Sequence, residues 1–190
     1  MPPTGPLDPN FLATGVRQAW LGQDRELVVT CLRTLAHLRE TRNPALAERA
    51  AKICSLRLMD EPIREQAVIL ARRAVELGKG NVFLGHFQMA LGMAEYRVGN
   101  YDAANAALIE AARLGKANNH IIVTAAFYRA MSLHQQGEEE EARQLAGDAI
   151  AKMRPLPKDE RNPMVGRINI DDLVLWMAYK EVRGLLKLKQ

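Results

Sequence analysis

The chain is poor in cysteine, in aromatic residues and in long uncharged stretches. Its 190 residues include only two cysteines, Cys31 and Cys54, and aromatic residues make up 5% of the sequence. Two cysteines in aliphatic surroundings do not make a disulfide framework or a metal site, so we expect two small buried hydrophobic side chains. No run of 18 uncharged apolar residues occurs, so no membrane-spanning helix is predicted.

The N-terminal segment lacks the features of a secretory signal. Residues 1–9 hold four prolines and neither a positive start nor an apolar core. We therefore expect a flexible proline-rich arm over residues 1–9 and a protein of the cytoplasm.

Catalytic motifs are missing as well. The sequence has no Gly-x-Ser-x-Gly elbow, no His-Glu-x-x-His, no Cys-x-x-Cys and no calcium loop. We expect no catalytic residue, no metal and no cofactor. An enzyme stays open as a weaker alternative, which would need a pocket built from scattered titratable residues.

Charge of one sign is not concentrated anywhere. Lys and Arg number 26 and Asp and Glu number 22, which gives a formal net charge of +4. The basic residues are spread along the chain, as on a solvated helical surface. The alternative is a helical module that binds nucleic acid or another anionic ligand through Arg49, Lys52, Arg72, Arg73 and the basic C-terminus. That alternative predicts retention on heparin that falls steeply with salt, and nucleic acid is the less favoured partner.

The residues that are abundant favour helices. Hydrophobic residues make up 48% of the chain, and β-branched residues form no long alternating run, so the predicted class is all-α. Start signals such as Asn43-Pro44 and Asp60-Glu61-Pro62 recur at short intervals. They predict four helix hairpins within residues 10–154 (about 10–40, 44–78, 82–115 and 119–153), a loop over 155–169 and a last helix over 170–188. The third helix of the series, which starts at Asn43-Pro44, is predicted to end near Leu58.

Small residues recur at a fixed offset in these hairpins. Shifting Ala104 and Ala111 by 37 positions back gives Ala67 and Ala74, and shifting them by 38 forward gives Ala142 and Ala149. Helices that cross closely need small side chains, and a bulky one costs about 1–3 kcal/mol. Stacked repeat units are therefore predicted, with these six alanines, Gly92 and the turn residue Gly99 at structural positions.

At this point the sequence resembles the tetratricopeptide repeat (TPR) family. The family pattern of Leu-Gly, Gly-x-Tyr and two alanines seven apart matches, in order, Leu91, Gly92, Gly99, Tyr101, Ala104 and Ala111. The chain departs from the pattern in the first helix, where Glu95 and Gln88 replace aromatic residues. The resemblance implies a right-handed α-solenoid of about four hairpins with a C-terminal capping helix.

A second resemblance covers roughly residues 15–187. The run from Asn43 to Lys52, residues 71–77, the Gly92 hairpin and the apolar last helix with Trp176 look like the C-terminal helical repeat region of planctomycete-type bacterial Ser/Thr kinases and WD-repeat proteins. This implies a scaffold or a regulatory module of a larger signalling protein, and it brings no kinase motif with it.

The TPR resemblance also implies a binding groove for another protein or a peptide. In the family the first helix of each hairpin lines the concave face, and the matching positions here are Met89, Met93, Tyr96, Arg97, Phe127, Met131, His134, Arg49 and Lys52. Methionine and aromatic side chains suit a groove that takes a partner helix or an extended peptide. The alternative is that the same stripe packs against the neighbouring hairpin or the last helix.

The last helix is apolar on every side from Leu173 to Ala178. A helix lying on a surface would show polar residues at each turn, so this one is predicted to be buried on more than one side. The same run also suggests a homo-oligomer formed through this helix.

Overall fold

The computed structural model describes residues 6–116, 118–166 and 168–188, and its regular structure in these ranges is entirely α-helical, which confirms the all-α prediction. Residues 1–5 of the expected arm lie outside the described residues. The helices of the described part are α1 (Phe11–Trp20), α2 (Asp24–Leu38), α3 (Pro44–Cys54), α4 (Glu61–Leu77), α5 (Leu84–Arg97), α6 (Tyr101–Leu114), α7 (Asn119–Gln135), α8 (Glu139–Lys152) and α9 (Ile170–Leu185).

Asparagine side chains fix the beginnings of three helices. Asn43 accepts from two backbone N–H groups of α3, and Asn118 accepts from one of α7. Asn169 and Asp172 form a reciprocal capping box at the start of α9. These caps satisfy N–H groups that have no partner inside the helix.

Three hairpin turns share one backbone conformation. Each contains a glycine with positive φ, +70° at Gly22, +85° at Gly99 and +87° at Gly137, a region that glycine enters without steric cost. The residue after the glycine has φ −84°, and its N–H donates a hydrogen bond of 2.9 Å to the carbonyl oxygen five positions earlier. This is the Schellman arrangement, and the residue that completes it is also the N-cap of the next helix.

The first eight helices pack as four successive pairs, α1 with α2, α3 with α4, α5 with α6 and α7 with α8. The first helices of neighbouring pairs also touch each other, in the order α1, α3, α5 and α7, and each second helix touches the first helix of the next pair. α9 lies against α7 and returns to α1. The core therefore runs between the row of first helices, the row of second helices and α9.

Small residues lie where the helices approach. A Cβ atom added to Gly92 in α5 would lie 2.3 Å from Cγ of Leu108 in α6. The predicted small positions in the second helices are all buried: Ala67, Ala74, Ala104, Ala111, Ala142 and Ala149. Any larger side chain at Gly92 would have to push the α6 backbone or the Leu108 side chain aside.

α3 ends at Cys54, before the predicted end near Leu58. The next two carbonyl oxygens are taken by a residue distant in sequence, because Arg97 donates from Nε to Ser55 O at 2.8 Å and from a terminal nitrogen to Leu56 O at 3.2 Å. Arg57 in turn donates to Ala19 O at 2.7 Å. The chain therefore leaves the helix here, where its carbonyl oxygens meet a side chain of α5 and its Arg57 side chain meets the backbone of α1.

α9 belongs to the core. Six of its large apolar side chains are at most 5% exposed: Leu173, Val174, Leu175, Trp176, Met177 and Val182. At about 1.5–3 kcal/mol each, their burial is worth roughly 9–18 kcal/mol, as large as the whole stability of a typical domain. The prediction that this helix is buried on several sides is confirmed, and its apolar run offers no surface for a second copy of the chain, which removes the reason for expecting a homo-oligomer there.

The segment after α8 passes over the junction of α9 and α1. Trp176 Nε1 donates to Arg154 O at 2.9 Å, and Trp20 Nε1 donates to Glu160 O at 2.7 Å. The two tryptophan rings meet with centroids 6.0 Å apart. Two indole rings and their N–H groups thus tie this segment to the first and last helices.

Candidate binding pockets

The methionine and phenylalanine residues expected to line an open groove lie in the core. Met89, Met93, Phe127 and Met131 are at most 2% exposed. The Phe127 ring packs against Tyr179 of α9, with centroids 5.9 Å apart. The burial of these four residues corresponds to the alternative in which the stripe packs against the neighbouring hairpin or the last helix, and an open groove at these four residues is wrong.

Arg97 joins α5 to α9. Its two terminal nitrogens contact the two carboxylate oxygens of Glu181 at 2.5 and 2.6 Å, and its remaining donors meet the carbonyl oxygens of Ser55 and Leu56. Burial acts to lower the pKa of Arg97, but Tyr128 and Glu181 outweigh it, so the pKa lies above its ordinary value. Burial also raises the pKa of Tyr128 to about 12. Arg97 is a structural link inside the fold, so its donors are not available to a partner.

The other predicted groove residues are more accessible. His134 is half-buried, with Nδ1 2.7 Å from Glu139 Oε1. Tyr96 is half-buried too, and its ring meets Tyr101 and Tyr128 at centroid distances of 6.0 and 5.6 Å. Arg49 is exposed, and no ion pair or hydrogen bond joins it to another residue within the described ranges.

α9 leaves a pocket open near its first turn, of about 240 Å³, which we call the Lys52 pocket. Four of its lining residues are apolar, Leu12, Ala45, Phe83 and Phe87. The other five are polar or charged, Glu48, Arg49, Lys52, His86 and Asp171. The side chains come from α1, α3, α5 and α9 and from the turn before α5, so the fold, and not one local motif, assembles the pocket.

A buried ion pair forms the floor of the Lys52 pocket. Lys52 Nζ lies 2.6 Å from Glu48 Oε1 and 3.8 Å from Asp171 Oδ1, and the Lys52 and Glu48 side chains are 4% and 6% exposed. Burial acts to lower the pKa of Lys52, but the two carboxylates together outweigh it and hold that pKa above its ordinary value. Lys52 is thus a fixed cation and not a lysine primed as a nucleophile, which would need a lowered pKa.

Two histidines lie beside this ion pair. Burial lowers the pKa of His86, and the charge of Lys52 adds to the effect, so the His86 ring is mainly neutral near pH 7. His120 Nδ1 lies 3.6 Å from Oδ1 of Asp172, whose side chain is fully buried and whose other oxygen is 3.1 Å from Arg154. This end of α9 is therefore contacted by a histidine of α7 and by Arg154, after α8, as well as being held by its capping box.

A second opening, of about 360 Å³, lies further along α9, and we call it the Tyr96 pocket. Its lining residues come from five helices and two turns, and all of them except the buried Arg97 are exposed or half-buried: Leu58, Arg64, Tyr96, Arg97, Val98, Gly99, Tyr101, Gln135 and Glu181. Leu58 is 74% exposed. No hydrogen bond joins the hydroxyl of Tyr96 or Tyr101 to the described part of the chain.

No family model, curated protein or solved structure matches this chain. The pockets are therefore interpreted from their own chemistry. Over the described ranges, no group of three or more His, Cys, Asp or Glu side chains is placed to hold a metal ion. Across the same residues, no helix is both long and apolar enough to cross a bilayer.

The basic residues proposed for an anionic ligand are mostly engaged within the chain. Lys52 is buried against Glu48. Arg72 lies 2.7 Å from Glu95 Oε1, and Arg73 donates to the carbonyl oxygen of Arg39. Of the four, only Arg49 has no such partner among the described residues, so they do not form a continuous patch of unpaired charge.

Sequence reasoning missed the Lys52 pocket as a unit. Arg49 and Lys52 were predicted as groove residues, whereas Glu48, His86 and Asp171 were not among the predicted site residues. One signal was present: Glu48 and Lys52 are four positions apart, the spacing at which opposite charges meet on a helix.

Proposed function

We propose that this chain is a non-catalytic protein-interaction module, built as a tetratricopeptide-like right-handed solenoid of four hairpins with α9 as its capping helix. The recurring alanines, the three equivalent glycine turns and the order of helix contacts support a stacked repeat. We place it in the cytoplasm, as a scaffold or as a regulatory module of a larger signalling protein.

The partner docks on the Tyr96 pocket, because the methionine and phenylalanine residues expected to line a groove are buried in the core. The charge of Arg97 is balanced by Glu181, so the side chains of this pocket carry one positive charge in excess, from Arg64. Arg64 donates to Arg97 O at 2.8 Å, and its Nε has no hydrogen-bond partner among the residues that the structure describes. The matching occupant is an extended segment of another protein with one apolar anchor and one carboxylate.

The observation that carries this proposal is Leu58, a large exposed apolar side chain in the lining of a pocket that also has two tyrosine hydroxyls with no hydrogen bond to the described residues. The anchor of the partner would cover Leu58, and the hydroxyls of Tyr96 and Tyr101 would bond its backbone. Tyrosine gives contact area at low entropic cost, and an exposed apolar side chain gains most from being covered.

Selection from a random peptide display library tests the proposal, with the wild-type chain as bait and the Leu58→Asp variant for counter-selection. The selected peptides should combine an apolar residue with an acidic one. Leu58→Asp and Arg64→Gln should each weaken their binding by about tenfold or more, the loss expected for one anchor or one charged hydrogen bond.

The matched control is Ile109→Asp, at a side chain of α6 that is 50% exposed and does not line the pocket. Fluorescence polarisation with labelled peptides should give this variant the wild-type Kd. Peptides that bind wild type and Leu58→Asp equally well would show that the pocket is not the docking surface.

The alternative function, binding of nucleic acid or another anionic ligand, makes an opposite prediction. Because Lys52, Arg72 and Arg73 are engaged within the chain, we expect weak retention on heparin with little dependence on salt. Retention that falls steeply between about 50 and 200 mM salt would favour the alternative.

A further inference from the structure

The Lys52 pocket has hydrogen-bond donors that the chain does not use. An ammonium group has three N–H donors, and for Lys52 the nearest acceptors are Glu48 Oε1 at 2.6 Å and Asp171 Oδ1 at 3.8 Å, the second being beyond hydrogen-bond reach. The contact with Glu48 is an ion pair without the direction of a good hydrogen bond. Arg49, three positions earlier, has no partner in the described ranges. Both cations line the pocket, so it can accept a carboxylate.

The same pocket also has an acceptor to spare. The Asp171 side chain is 34% exposed. Within the described residues, the cation nearest to its carboxylate is Lys52 Nζ, at 3.8 Å. Glu48, in contrast, is buried and engaged by Lys52. Asp171 is therefore the group that can receive an ammonium from a ligand.

The charges of the pocket balance. Arg49 and Lys52 contribute two positive charges, Glu48 and Asp171 contribute two negative ones, and His86 is mainly neutral near pH 7. A ligand with a single charge would leave this partly buried site unbalanced, which is costly in a low-dielectric surrounding. A ligand with one charge of each sign keeps the balance and meets both unused groups.

Size and apolar surface limit the ligand further. A volume of about 240 Å³ is below the range of roughly 300–1,000 Å³ that is usual for drug-sized ligands. The apolar part of the lining is made by Leu12, Ala45, Phe83 and Phe87, and Phe83 is 56% exposed. Phe83 has apolar surface that an apolar substituent would cover.

We propose that the Lys52 pocket binds a free apolar α-amino acid, with its carboxylate on Arg49 and Lys52, its ammonium on Asp171 and its side chain on Phe83 and Phe87. This site is separate from the Tyr96 pocket and does not depend on the proposed docking of a partner there. It would make the protein a receptor for a small metabolite in addition to a scaffold.

Isothermal titration calorimetry with four probes tests the proposal, at ligand concentrations up to about 10 mM. Leucine carries both charges and the apolar group. N-acetyl-leucine lacks the ammonium, leucinamide lacks the carboxylate, and glycine lacks the apolar substituent. Leucine should bind and each of the others should bind about 10- to 100-fold more weakly, the effect expected for losing one charged hydrogen bond or one apolar contact.

Two variants place the binding in the pocket without touching the buried ion pair. Arg49→Gln removes the exposed donor and Asp171→Asn removes the acceptor charge, and each should weaken leucine binding by about tenfold or more. The matched controls are Arg25→Gln on α2 and Asp148→Asn on α8, both exposed and outside the pocket, which should bind leucine as wild type does. A rise in melting temperature with leucine concentration gives a second readout.

Several results would overturn the proposal. These are no heat and no melting shift with leucine, equal binding of N-acetyl-leucine or leucinamide, or leucine binding that Arg49→Gln and Asp171→Asn leave unchanged. None of them bears on the peptides selected against the Tyr96 pocket, so the two proposals fail separately.

Discussion

Substituting Gly92 by alanine tests the close approach of α5 and α6. The added Cβ would lie 2.3 Å from Cγ and 2.6 Å from Cδ2 of Leu108, and 3.2 Å from the carbonyl oxygen of Ala104. Leu108 is fully buried, so its side chain has no open space into which to turn. The substitution therefore overpacks the core at a helix crossing.

Two effects of opposite sign decide the outcome. Overpacking costs about 1–3 kcal/mol. Alanine in place of glycine inside a helix raises the free energy of unfolding by about 0.5–1 kcal/mol. We expect Gly92→Ala to lower the free energy of unfolding by about 1–2 kcal/mol, which for a chain of this size lowers Tm by roughly 2–8 °C.

Urea unfolding followed by circular dichroism measures the change, and Gly147→Ala is the matched control. Gly147 lies inside α8, and a Cβ added there meets nothing within 4 Å. The control should therefore show the helix effect alone and gain about 0.5–1 kcal/mol. In a Leu108→Ala background the two contacts with Leu108 are gone and only the 3.2 Å approach to Ala104 O remains, so Gly92→Ala should be clearly less destabilising there than in the wild-type chain.

The reasoning is refuted if Gly92→Ala stabilises the wild-type chain as much as Gly147→Ala does. That result would mean that α5 and α6 lie further apart than the 2.3 Å distance between the added Cβ and Leu108 Cγ implies. It would also remove the physical reason for a small residue at this position of the repeat.

Three further predictions concern the links around α9. Arg97→Met should cost about 3–5 kcal/mol in urea unfolding, because it leaves Glu181 and two carbonyl oxygens without their donor; a loss below about 1 kcal/mol would contradict this. The pKa of His86 lies below its ordinary value of 6.5, so the unfolded chain protonates first and stability should fall as pH drops below that value. His86→Gln should flatten this slope in urea unfolding at several pH values, and an unchanged slope speaks against it. Truncation after residue 154 removes α9 from Phe127, so the truncated chain should lose cooperative unfolding and bind a hydrophobic dye, whereas a wild-type midpoint would show α9 to be dispensable.

Local signals were enough for the helices and for the burial of α9. Asn43-Pro44 marks the beginning of α3 because the cap and the missing proline N–H act within one turn. The glycine turns are local too, since only the backbone of the turn decides the sign of φ. The all-round apolar run from Leu173 to Ala178 indicated a buried helix without saying which surface it meets.

The groove and the pockets depend on contacts distant in sequence. Met93 and Phe127 have the composition of a binding surface, and the identity of their neighbour decides whether they bind a partner or pack in the core. α3 ends early because Arg97, about 40 positions later, takes the carbonyl oxygens that follow. The Lys52 pocket joins side chains of four helices, and no local spacing brings Asp171 next to Lys52.

The return of the last helix to the first has a consequence for folding. Hairpins that touch only their neighbours can form and fray one at a time from either end. Here Trp20 bonds Glu160, 140 positions away, so both ends of the row are tied together. Closing so long a loop costs entropy before the contact is gained, so this step is expected late and slow. Once this contact has formed, unfolding should proceed as a single all-or-none transition and not as a gradual loss of hairpins.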